Sequence, residues 1–252
     1  MKKLFYLLLF SAFTVNSISA QNGASLEFKL TSSKGMTGTM KIFYSSPGSR
    51  MEMNMVVPQM PGGGFSKTTL VKSDKPGTVY TLDDKNKTYT STEVVTSGAA
   101  ATDNITVKVI GKEKVASYNC THVMVTKGTE ASEYWTTKEI ADLEKYSKYN
   151  RSNRFTGSDA EQAALAKNGA DGFIIKSITK DQRGGDMTME LVKLEKKDLP
   201  ATLFEIPADY KGGALPAAAP MIDAAKLQSM TPEERAKYIE EMKAKYGTQT
   251  GK

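Results

Sequence analysis

The chain of 252 residues has one cysteine, one histidine and one tryptophan. A lone cysteine rules out an intramolecular disulfide, so stability has to come from a buried core. A lone histidine leaves no histidine cluster with the usual metal-ligand spacing, and no G-x-S-x-G, H-E-x-x-H or phosphate-loop signature occurs. Carboxylates such as Asp83, Asp84 and Glu133 are scattered over turns and strands. Together these gaps point away from an enzyme and imply no cofactor. Charge of one sign is also scarce: the formal net charge of +6 includes Lys2 and Lys3, and the remaining charges are interspersed. That is too weak and too scattered for nucleic-acid binding, although it permits a modest pull towards anionic headgroups.

What is present begins with a basic start, an apolar stretch from Leu4 to Val15, and Asn16-Ser17-Ile18-Ser19-Ala20 ahead of Gln21. This is the layout of a cleavable signal peptide spanning residues 1–20. The apolar stretch is short of the roughly 20 residues of a spanning helix, and no later run is long enough either. A periplasmic or secreted location with no membrane span after cleavage follows as an expectation. No cysteine near the cleavage site is available for lipid modification.

From Ala24 to about Glu139 short runs alternate with period two between turn residues, as in successive antiparallel strands. Leu26, Phe28 and Leu30 alternate with polar neighbours before a turn at Ser32-Ser33-Lys34-Gly35. Met36 to Tyr44 reads as a second strand, and Ser46-Pro47-Gly48 turns the chain into Met51 to Met55. Pro58 to Gly64 is an apolar loop. Further strands are expected at Thr68 to Lys72, Thr78 to Leu82, Lys87 to Val94, Ile105 to Ile110, Tyr118 to Thr126 and Ser132 to Thr136. Asp83-Asp84-Lys85-Asn86 makes a hairpin turn.

The period then changes. Thr136 and Glu139 have the spacing of a capping box, with Ile140, Leu143 and Tyr146 on one face of a short helix. A second helix is expected from Asp159 to Ala166, closed by Asn168-Gly169, and together they form a helical insert at about 138–169. Strands return at Phe173 to Ile178 and Met187 to Leu194, and Leu199 to Tyr210 closes the domain as an extended segment. The β-rich domain is thus expected over 21–211. Residues 212–252 are read as a linker followed by an amphipathic helix from about Pro232 to Tyr246, started by Thr231-Pro232-Glu233-Glu234.

Methionine is the unusual residue. Met51, Met53 and Met55 share one side of a strand, Met40 lies on its neighbour, and Met60 sits in the adjacent loop. An unbranched, polarisable side chain suits a cavity that adapts to ligands of varied shape, and it also serves as ordinary core. These five, with Trp135 near the rim, are the candidate ligand-binding residues, although Trp135 reads first as the edge of the core, since aromatics carry much of a β domain's buried area. Cys120, His122 and Met124 alternate along one strand and are of the ligand types that a soft metal such as copper prefers. The same thiol and imidazole could be imagined as nucleophile and base, but no third orienting residue is evident.

Several segments carry a resemblance in their order: Met40-Lys41-Ile42-Phe43-Tyr44 before Arg50, Tyr80-Thr81-Leu82-Asp83 before Lys87-Thr88-Tyr89, Tyr118-Asn119-Cys120, Tyr134-Trp135-Thr136-Thr137, and Phe204-Glu205-Ile206-Pro207 with Tyr210-Lys211. Over roughly Leu26 to Lys211 the chain resembles a family of exported Gram-negative envelope proteins known as a domain of unknown function, similar in fold to the lipoprotein carriers LolA and LolB. The resemblance implies a mainly β, α+β fold: a curved antiparallel sheet forming a half-barrel, with short helices as a lid over its concave face. It transfers no site residue.

The functional expectation is an exported envelope binding protein that holds a lipid or other hydrophobic ligand in the hollow of the sheet, with the Pro58 to Gly64 loop as a flap. The alternatives are a non-catalytic module that engages an envelope protein partner, and a soft-metal binder centred on Cys120 and His122.

Overall fold

The computed structural model describes residues 20–58, 63–93, 105–140, 142–143, 146, 159–180, 184–213, 231 and 233–234. The amphipathic segments form β1 (Ala20–Ser32), β2 (Thr37–Ser45), β3 (Gly48–Val56), β4 (Gly64–Lys72), β5 (Lys75–Asp83) and β6 (Thr88–Glu93). They continue as β7 (Ile105–Val115), β8 (Tyr118–Lys127), β9 (Glu130–Thr137), helix α1 (Asp159–Lys167), β10 (Phe173–Lys180), β11 (Asp186–Pro200) and β12 (Lys211–Gly212). All the strands join one open, curved sheet in the order β12-β6-β5-β4-β3-β2-β1-β11-β10-β9-β8-β7. The fold is mainly β. Two antiparallel meanders, β2 to β6 and β7 to β11, flank β1, which pairs with β2 on one side and β11 on the other.

Alternation sets the faces. Ala24, Leu26, Phe28 and Leu30 of β1 are each no more than 2% exposed, whereas Lys29 between them faces solvent. Register then extends this apolar set across the sheet: Leu26 pairs with Ile42 and that with Met51, Phe28 with Met40 and that with Met53, and Leu30 with Gly38 and that with Met55. On the other flank Leu194, Leu191 and Met189 stand opposite Leu26, Phe28 and Leu30, with a bulge on β11 keeping both runs in phase. Ile140, Leu143 and Tyr146 are buried against the same cluster, and the Tyr146 ring stacks on Tyr44 at 5.5 Å.

Helix α1 contributes Leu165 to a second cluster with Val123, Val125, Tyr134, Ala170 and Ile174. It stops where Asn168-Gly169 predicts. Gly169 takes φ +69°, its N–H donates to the Ala166 carbonyl at 3.0 Å, and the Ala170 N–H donates to the Leu165 carbonyl at 3.0 Å. This is a Schellman stop with its hydrophobic contact between Ala170 and Leu165. A third cluster joins Leu70, Leu82 and Tyr210.

Several expectations are corrected. Strand β7 runs on to Val115 through a bulge at Val109/Gly111, because the extra residue, Ile110, lets the edge strand bend and keep pairing. Lys211–Gly212 is strand, although its composition reads as linker: the Lys211 N–H donates to the Lys87 carbonyl at 2.9 Å and the Gly213 N–H to the Tyr89 carbonyl at 2.8 Å, giving the outer edge of β6 a parallel partner. The capping box of Thr136 and Glu139 does not form. Both threonines at 136 and 137 end β9, Thr137 Oγ1 accepts from the Glu139 N–H at 3.3 Å, and the Glu139 carboxylate is taken by Asn119.

The expected signal segment before residue 20, residues 59–62 of the expected flap with Met60 among them, the linker beyond Gly213 and the helix beyond Glu234 lie outside the described residues. Thr231 and Glu234 do form a reciprocal capping box, with the Thr231 N–H donating to Glu234 Oε2 at 2.9 Å and the Glu234 N–H to Thr231 Oγ1 at 3.3 Å. No helix among the described residues is long and apolar enough to cross a membrane.

Candidate functional site

Of the thirteen methionines, seven gather on one apolar cluster around Phe28 and Leu30. Met40, Met55 and Met189 are buried in it, and Met36, Met51, Met53 and Met187 pack against it while half-buried. The strand alternation that singles out Met51, Met53 and Met55 therefore places them together with Met40, and adds Met36, Met187 and Met189 from segments whose pairing was not readable. Phe65, opposite Met55 across β3 and β4, is 44% exposed. The face thus grades from sealed core to apolar surface towards the β3–β4 end. Gly38 makes room there, since a Cβ on it would fall on the Asn54 carbonyl oxygen and the Met55 sulfur.

Trp135 is only 5% exposed. Its indole stacks on His122 with ring centroids 4.0 Å apart, its Nε1 donates to Glu113 Oε1, and Lys176 Nζ sits 4.9 Å from its ring. It is a packing residue of β9 and not a free rim. His122 is held from both sides: Nε2 lies 2.8 Å from Glu133 Oε2 and Nδ1 lies 3.3 Å from Glu113 Oε1. Cys120 is buried and its thiol donates to the Tyr118 carbonyl at 3.4 Å. Burial pushes that thiol's pKa up, which keeps it protonated and a poor nucleophile. Thiol and imidazole are therefore each occupied elsewhere, and no nucleophile and base pair forms between them. Met124 follows on the same side of β8, opposite Glu133. Among the described residues no three His, Cys, Asp or Glu side chains group so as to hold a metal ion.

Beside this cluster is a cavity of about 750 Å³ lined by β7, β8, the end of β9 and the residues flanking α1. Register builds its floor: Lys112 pairs with Thr121, Thr121 with Thr136, and Lys114 with Asn119. Glu139 is kept below the usual carboxylate range by the Asn119 backbone and side-chain donors, and Asp171 by Lys138, 2.8 Å away. Lys112 and Lys114 carry no signal in the sequence, and Thr136 enters there only as a helix cap and not as a site residue. Their common signal is a polar row across three strands, legible only once the register and the β7 bulge are known.

Fold and face define a class: a mainly β domain built on one open sheet, antiparallel except at its β12–β6 edge, with an apolar, methionine-rich face. The chain belongs to the family described as a domain of unknown function, DUF4412, whose model matches residues 23–210. Among curated proteins none matches. Similar solved structures include an uncharacterized conserved protein from Thermus thermophilus (10% identity, TM-score 0.45, covering 77% of this chain and 90% of that one). They also include the MucA/MucB complex of Pseudomonas aeruginosa (12%, 0.43, 78% and 59%) and a LolA superfamily protein from Nitrosomonas europaea (8%, 0.29, 75% and 91%). The chain thus spans 59% of that Pseudomonas chain. All three scores fall below 0.5, and no site or partner is transferred from them.

Proposed function

We propose that this is an exported, non-catalytic binding protein of the cell envelope that takes a lipid or other apolar ligand against the methionine face of its sheet. The observation that carries the reading is the half-buried set Met36, Met51, Met53 and Met187, which extends the sealed core to the surface. Unbranched thioethers re-pack at little cost, so such a face can admit an acyl chain without a preformed rigid slot. Binding would draw on about 25 cal/mol per Å² of apolar surface removed from water, less the association costs. Residues 1–20 would supply the export signal, and the Pro58 to Gly64 loop, which follows Met55 in sequence, would serve as a flap.

A second reading rests on the edge of the sheet. Val109 and Ile110 on the outer strand β7 are each 47% exposed, and this edge offers a partner protein both backbone groups and apolar contacts.

The test is titration of residues 21–252 with a fluorescent fatty-acid probe, alongside native mass spectrometry of the protein purified from its envelope fraction. Saturable binding that weakens by about tenfold in the Met51→Gln/Met53→Gln variant supports the reading. Absence of both saturable binding and copurified lipid overturns it in favour of the partner-protein reading.

A further inference from the structure

We infer that the cavity beside Cys120 is a second binding site, for an anionic group of phosphate type. No methionine lines it, and Cys120 is the one lining residue that also belongs to the methionine-bearing cluster. Two independent observations meet there.

The first is charge. Its lining carries Lys112, Lys114 and Lys138 against Glu113, Glu139 and Asp171. Each of the three carboxylates already has partners: Glu113 has the Trp135 indole and His122, Glu139 has the backbone and side-chain N–H groups of Asn119, and Asp171 has Lys138. Lys112 has no ion-pair partner among the described residues, and Lys114 reaches Glu139 only through space. The cavity is formally balanced, yet its unspent charge is positive.

The second is a hydroxyl. Thr136 is 2% exposed and lines the cavity, and its Oγ1 is the buried side-chain oxygen that lacks a hydrogen-bond partner among the described residues. A buried hydroxyl without a partner is unfavourable, so its retention calls for a group that completes it. Turned by a χ1 rotation into the cavity, that hydroxyl donates to an anionic oxygen whose charge the ammonium groups balance. Thr121, paired between Lys112 and Thr136, supplies a second hydroxyl on the same row. A volume of about 750 Å³ accommodates more than a bare ion, in keeping with an organic phosphate.

Such a phosphate can come from a soluble ester or from a phospholipid headgroup, and the experiment separates them. The protein spanning residues 21–252 is titrated with glycerol 3-phosphate and, separately, with vesicles containing phosphatidylglycerol or phosphatidylcholine alone. Thr136→Val and Lys112→Gln/Lys114→Gln are measured beside the wild type. Saturable binding of glycerol 3-phosphate that falls about fivefold to tenfold in each variant supports the site with a soluble ligand. Binding confined to phosphatidylglycerol vesicles, with the same losses, supports it with a lipid headgroup. Thr136→Val keeps every charge, so unchanged affinity in that variant, or no saturable binding to either probe, overturns the inference. The fatty-acid titration of the methionine face is unaffected by any of these results, so the two sites fail separately.

Discussion

His122 lies flat on Trp135, with centroids 4.0 Å apart and ring planes 11° from parallel, and both of its nitrogens face carboxylates. The only histidine and the only tryptophan of the chain are thereby spent on each other. Replacing His122 with Phe keeps an aromatic ring over Trp135 but removes the two ring nitrogens that face Glu113 and Glu133. With those carboxylates partly open to solvent, the loss is expected near the lower end for charged hydrogen bonds, about 1–2 kcal/mol, rising in His122→Ala as the stacking also goes. Urea denaturation of the two variants measures it; a His122→Phe protein as stable as wild type would show the contacts to be idle.

A soft metal at Cys120, His122 and Met124 would have to displace both carboxylates from the imidazole. Metal analysis of wild type and His122→Ala after exposure to copper(I) is expected to give equal content. A wild-type excess would restore that site.

How much of this was legible beforehand depended on whether the signal was local. The β1 alternation, the Asp83 turn and the Asn168-Gly169 stop act within a few residues, and they stand in the structure where the pattern put them. Asp83 Oδ1 accepts from the backbone of Lys85 and Asn86, as an Asx turn requires. Thr136 misled because a threonine three residues before a glutamate looks the same whether the backbone is turning into a helix or finishing a strand. Only Asn119, twenty residues upstream of Glu139, decides where that carboxylate goes. Strand β12 misled for a related reason: glycine and proline content describes what a segment can tolerate, while its pairing is set by the unpaired edge of β6. The clustering of Met36, Met187 and Met189 with Met51 and Met53 needed the β1–β11 register, which no local pattern encodes.

Thr136 also makes a stability prediction independent of any ligand. Valine has nearly the shape of threonine and removes the orphaned hydroxyl, so Thr136→Val is expected to stabilise the empty protein by about 1 kcal/mol. For a domain of this size that is a rise in Tm of about 2–4 °C. Thermal denaturation in phosphate-free buffer checks it, and a drop in Tm would mean that the hydroxyl is satisfied in solution.

Gly38 couples backbone packing to the methionine face. A Cβ there meets a backbone oxygen, that of Asn54, as well as the Met55 sulfur, and the oxygen cannot swing aside as a side chain can. Gly38→Ala is expected to destabilise by about 1–3 kcal/mol and to displace Met55, weakening the fatty-acid probe along with the fold. Chemical denaturation and the probe titration, run on the same sample, read both; an alanine variant that matches wild type in each would show that β2 and β3 move apart freely.

Tyr210 fastens the segment that leads into β12 to the β5–β6 turn. Its hydroxyl donates to Asp84 Oδ1, and Lys87 Nζ lies 5.0 Å from its ring while pairing with Asp209 at 3.6 Å. The hydrogen bond to Asp84, above all, together with loss of hydration, pushes the phenol's pKa up from 10.0 to about 12. A group whose pKa is higher folded than unfolded stabilises fully below the unfolded value and loses that contribution as pH rises through the folded one. The Tyr210 contribution should therefore be intact up to about pH 10 and gone past about pH 12. Lysines titrate over the same range, so the informative quantity is the stability difference between wild type and Tyr210→Phe at each pH, in which they cancel. That difference is expected to favour wild type at about pH 8 and to close as Tyr210 ionises. A gap that stays constant through the whole range would detach the phenol from Asp84 and leave β12 held by backbone pairing alone.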